Sequence, residues 1–176
     1  MKKLAILFSL VAIVFACKNV DQFRAPIEAL TADWEKASTA LSGLGTTIGA
    51  TQTSLASLKD SFAIDPKAKI APAMMTKLDS IKNVFTTSTS GMESIASAFT
   101  TSMTNWTSLS EKVKGLKEGL ASGKLNGDVM AQINELKNAV TNSSSEVESY
   151  TAKLNTVKTD AMAAYDMFKQ TLMAKK

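Results

Sequence analysis

Apolar residues recur along this chain at alternating steps of four and three, and the longest such run is unbroken from Met74 to Leu120. Its slots are Met74, Leu78, Ile81, Phe85, Ser88, Met92, Ile95, Phe99, Ser102, Trp106, Leu109, Val113, Leu116 and Leu120; only the two serines are not apolar. A strict a/d heptad of this kind predicts a helix with a narrow apolar seam that needs partner helices along its whole length. An earlier run reads Ile27, Leu30, Trp34, Ala37, Leu41, Leu44, Ile48, Thr51, Leu55, Leu58 and Phe62. A later one reads Val129, Ile133, Leu136, Val140, Ser143, Val147, Tyr150, Leu154, Val157, Ala161, Ala164 and Phe168, with Leu172 prolonging the stripe.

Turn and cap residues punctuate the three runs. Pro26 is expected to start or kink the first helix. Asp65-Pro66 suits a short turn, and Pro72 resets the chain into the second helix. Gly123 supplies a C-cap, and Asn126-Gly127-Asp128 a turn and a new N-cap. Helices are therefore expected at about 26–62, 72–122 and 128–174. The fold class is all-α: an elongated antiparallel three-helix bundle or coiled coil over 26–176, preceded by a signal peptide. Short links leave neighbouring helices antiparallel. At 1.5 Å per residue the second and third helices should reach about 70–75 Å and the first about 55–60 Å.

Between residues 37 and 58 no side chain is charged, and between 83 and 105 Glu93 alone is. Both stretches are rich in Ala, Ser, Thr and Gly. Tight packing, with small residues broadening the seam and hydroxyls bonding back to the helix, is the expected reason; a waist that docks a second copy, a ligand or another protein is the alternative. Gly43-Leu44-Gly45-Thr46-Thr47-Ile48-Gly49 faintly follows a dinucleotide-binding loop, but the third glycine comes one residue late and no strand precedes it. Glycines that let helices approach closely are the expected reading.

The N-terminus has a separate character. Lys2-Lys3 precedes an apolar run from Leu4 to Ala16, too short to span a bilayer, followed by Cys17. Val14-Phe15-Ala16-Cys17 resembles the lipobox of bacterial lipoproteins, with an aliphatic residue at −3, Ala at −1 and Cys at +1; Phe15 is bulkier than the usual residue at −2. The resemblance implies a signal peptide over 1–16, cleavage after Ala16, and a tether over 17–25 whose Cys17 carries diacylglycerol. Two or three acyl chains hold a protein on a membrane where one binds marginally. Lys18 in place of Asp points to the outer membrane or cell surface rather than the inner membrane of a two-membrane host.

Composition narrows the chemistry. Without Lys2 and Lys3 the balance is 18 basic against 16 acidic residues, no electrostatic footprint for nucleic acid. There is no histidine and one cysteine, which excludes a Ser-His-Asp triad, an imidazole metal site and an internal disulfide. Glu146 and Glu148 are two residues apart on a helix and point different ways; Glu111 and Asp128 merely flank the second turn. Gly123-Lys124 has Glu118 where a phosphate-binding loop needs glycine. No catalytic residue, cofactor site or metal site is expected. Trp34 and Trp106 occupy seam slots and should be core. Lys112, Lys114, Lys117 and Lys124 could face lipid headgroups near the anchored end, although a charge run is commonly a solvated face.

The expected function is that of an envelope lipoprotein, held to membrane lipid through Cys17, whose bundle is a structural, scaffold or adhesive module with a protein partner or a second copy. The alternatives are a carrier of a lipid or other apolar ligand and, less favoured for want of an insertable apolar hairpin, a membrane-active toxin component.

Overall fold

The computed structural model describes the backbone of residues 2–174 and the side chains of residues 20–174. Three helices form, and no strand occurs among the described residues: α1 (Lys2–Asp60), α2 (Pro72–Ser122) and α3 (Val129–Met173). The chain is an all-α three-helix bundle. Val14, Phe15, Ala16 and Cys17 lie outside the residues whose side chains are described.

Heptad arithmetic accounts for the packing. Every slot of the α2 seam is buried or half-buried, including Ser88 and Ser102. In α3 the alternating step leads from Phe168 to Thr171, and Thr171 is buried whereas Leu172 is only half-buried. The apolar residue was the wrong guide there, because geometry and not hydropathy sets which position faces inward.

At its start α1 departs from expectation. Residues 20–25 are helical and dock, as the heptad phase of Val20 and Phe23 allows for the tether, and Pro26 stands inside α1 rather than at its first position. Pro26 cannot donate the helical hydrogen bond its position requires, which ordinarily breaks a helix. Here Val20 is buried and Phe23 half-buried, in step with the fully buried Ile27 and Leu30. Burial of about 1.5–3 kcal/mol per large apolar side chain offsets the lost bond.

The ends of α2 and α3 follow their capping residues. Lys124 N–H donates to the Gly119 carbonyl at 2.8 Å and Gly123 N–H to the Leu120 carbonyl at 3.3 Å, with Gly123 at φ 70°. This is the Schellman closure, which needs a left-handed residue after the last turn. Asp128 caps α3 by accepting the Ala131 N–H at 3.0 Å. Before α2, the Asp65 carboxylate accepts the Lys67 N–H at 2.9 Å and shapes the expected turn.

Packing divides the chain into two compact units, each receiving a segment of all three helices: Met1–Leu41 with Met103–Ser145, and Ser42–Ser102 with Glu146–Lys176. In the first, Leu30, Ile133 and Leu136 are wholly buried, and the rings of Trp34 and Trp106 stack with centroids 3.7 Å apart and planes within 7°. In the second, Phe62 lies just past the end of α1 yet is buried. Its ring centroid sits 4.5 Å from Phe85, 4.8 Å from Phe168 and 5.6 Å from Tyr165. Phe99 meets Tyr150 edge-on at 6.1 Å.

Candidate functional site

The uncharged stretch of α1 is not a broadened seam. In the second unit Ser42, Gly43, Thr46, Thr47, Gly49, Ala50, Thr53 and Ser54 are all exposed, on the outer side of a helix whose inner side buries Leu44, Ile48 and Leu55. The threonine hydroxyls of this stretch turn back to the backbone: Thr46 to the Ser42 carbonyl at 3.1 Å, Thr47 to Gly43 at 2.9 Å, half-buried Thr51 to Thr47 at 2.8 Å and Thr53 to Gly49 at 3.0 Å. A threonine bonded this way keeps its hydroxyl on the helix. On α2, Thr86 and Thr87 bond back likewise, to the Lys82 and Asn83 carbonyls. A stretch that is polar by composition thus becomes an uncharged surface on which most threonine hydroxyls are bonded to their own helix.

The glycines are also placed differently from expectation. A Cβ on Gly43 or Gly49 would meet nothing within 4 Å, so neither mediates a close helix approach. Only Gly45 faces a neighbour, the Phe99 ring edge at 3.1 Å from such a Cβ. Gly43→Ala and Gly49→Ala should each raise the unfolding free energy by about 0.5–1 kcal/mol, since alanine is the better helix former. Gly45→Ala should gain less or lose. Urea unfolding of the three variants checks the ranking.

Between α1 and α3 in this unit lies a groove of about 530 Å³. Thr46, Thr47 and Thr51 line one side with Leu55 and Leu58, and α3 contributes Lys158 and Met162. Met162 is 52% exposed, and Lys158 makes no ion pair with a described residue. A second groove, between α1 and α2, is about 230 Å³ and carries charges of both signs, Lys59 and Glu93.

In the first unit the tryptophans are core residues, buried as their seam slots predicted. Their polar ends are satisfied reciprocally: the Trp34 Nε1–H donates to Ser110 Oγ at 3.2 Å and the Trp106 Nε1–H to Ser38 Oγ at 3.0 Å. The signal lay in the sequence as Trp-x-x-x-Ser on both helices, which an antiparallel crossing turns into a matched pair. Of Lys112, Lys114, Lys117 and Lys124, Lys112 is 2.6 Å from Glu135 and Lys117 is 3.9 Å from Glu35, so two are already engaged. Lys114 and Lys124 are exposed. These pairs are solvent-exposed and contribute little to stability.

Asp128 is occupied as a cap, while Glu111, Glu146 and Glu148 are exposed. Among the described residues no group of three or more His, Cys, Asp or Glu is placed to hold a metal, and no helix is long and apolar enough to cross a membrane. On α3 the hydrogen bond to the Asp166 carboxylate, 2.9 Å away, raises the Lys169 ammonium above its ordinary value. Comparison with family models, curated proteins and solved structures finds no match to this chain.

Proposed function

We propose that the chain is a bacterial envelope lipoprotein, anchored through an acylated Cys17, whose helical bundle is a structural, scaffold or adhesive interaction module. The observation that carries this reading is the placement of the only cysteine directly after an apolar run headed by Lys2-Lys3, at the one position where lipidation requires it. Val20, three residues on, is already packed, so an anchor at Cys17 tethers a folded body closely to the bilayer. A surface without charge on α1 supports the second half of the reading, because docking a partner there desolvates no ion. The outer membrane or cell surface is the proposed site, on the strength of Lys18.

Labelling cells with a palmitate analogue and fractionating them tests the anchor. The wild-type chain should carry label and sediment with membranes; Cys17→Ala should lose both. Equal labelling of the two chains defeats the proposal. Crosslinking in membranes then tests the module, which should yield a specific partner or a second copy.

A further inference from the structure

We infer that the groove between α1 and α3 in the second unit binds a single-chain amphiphile with one negative charge at its head, such as a fatty acid. The hydroxyls of Thr46, Thr47 and Thr51, which line the groove, donate to backbone carbonyls 2.8–3.1 Å away, so their protons are already committed and cannot serve a polar ligand. Ala50, Leu55, Leu58 and the exposed Met162 make the trough largely apolar, and Ser54 adds one hydroxyl to its lining. Methionine is the side chain best able to mould itself to a flexible chain. The volume of about 530 Å³ falls within the roughly 300–1,000 Å³ of small-molecule sites.

Charge decides which amphiphile. Lys158 is the only charged residue lining the groove, and it has no acidic partner among the described residues. A cationic head finds no carboxylate there, and a purely hydrocarbon ligand leaves the ammonium unused. An alkyl chain ending in one carboxylate complements both features: the chain covers the apolar lining and the carboxylate accepts from the Lys158 ammonium. The groove on the α2 side, lined by both Lys59 and Glu93, lacks this preference. The inference goes beyond the anchored-module reading and does not depend on Cys17.

Membranes containing the full chain can be given hexadecanoate bearing a diazirine at its far end, irradiated, and the adducts mapped by mass spectrometry of peptides. Adducts should concentrate on residues 46–58 and 158–162. Lys158→Glu should lower them by about tenfold, as loss and reversal of one charge-assisted contact implies, while its circular dichroism matches wild type. The matching diazirine hexadecanol should label weakly and be indifferent to that substitution. Cys17→Ala should retain the adducts, which separates this test from that of the anchor. Adducts scattered evenly along the chain, adducts unchanged by Lys158→Glu, adducts lost with Cys17→Ala, or labelling only by a diazirine phospholipid would each overturn the inference.

Discussion

Phe62→Ala should lower the unfolding free energy by about 3–5 kcal/mol, the range for deleting a large buried aromatic side chain. The residue lies beyond the last turn of α1, where the chain is no longer helical, and yet it is 6% exposed and within ring contact of Phe85, Tyr165 and Phe168. Its removal leaves a cavity bordered by rigid rings on α2 and α3, which cannot collapse to fill it. Ring pairing adds about 0.5–1.5 kcal/mol beyond the area buried. Phe62→Leu should recover much of the loss. Urea unfolding followed by circular dichroism measures both; a change below about 1 kcal/mol for the alanine variant would mean that this end of the second unit is not packed as described.

Gly119→Ala and Gly115→Ala should act in opposite directions although they lie one helical turn apart. A Cβ on Gly115 meets nothing within 4 Å, so alanine there should stabilise by about 0.5–1 kcal/mol. A Cβ on Gly119 would come 2.8 Å from both the Lys124 carbonyl oxygen and the Leu125 side chain. The carbonyl belongs to the residue whose N–H closes the Schellman bond onto Gly119, so relief of the clash strains the cap itself. Alanine at 119 should therefore cost about 1–3 kcal/mol. Thermal unfolding of the two variants side by side checks the sign, and a stabilised Gly119→Ala would contradict the turn geometry.

Much of the bundle was legible because the heptad step is a geometric rule that three separate stretches obey. The ends of α2 and the start of α3 were legible for the same kind of reason: Pro72, Gly123 and Asp128 each have a backbone preference that suits one position. Pro26 was legible only in part, since it stands inside α1 and does not start it. A proline's local penalty can be read from its ring, but the burial of Val20 and Ile27 that outweighs it depends on helices more than seventy residues away in sequence. Leu172 misled for the converse reason, since its hydropathy outranked Thr171 but its angle on the helix did not.

The uncharged α1 face was visible as a composition and invisible as a surface. Ser and Thr at 42–54 could have widened the seam of Leu44 and Ile48 or faced water, and only their exposure in the folded chain decides. The groove beside it was beyond reach, because Lys158 and Met162 come to Thr47 and Leu58 from more than a hundred residues away. The paired indoles show a middle case: Trp34 and Trp106 were readable as core, whereas their hydrogen bonds to Ser110 and Ser38 required the antiparallel register.

The central claim, that one lipid-modified cysteine presents this bundle on a membrane, is tested most directly by the intact mass of the chain extracted from membranes. The expected product is a chain beginning at Cys17 and heavier than its amino-acid sequence by a diacylglycerol group, with or without a further acyl chain. A mature chain carrying an unmodified Cys17 thiol, or one cleaved elsewhere, would contradict it.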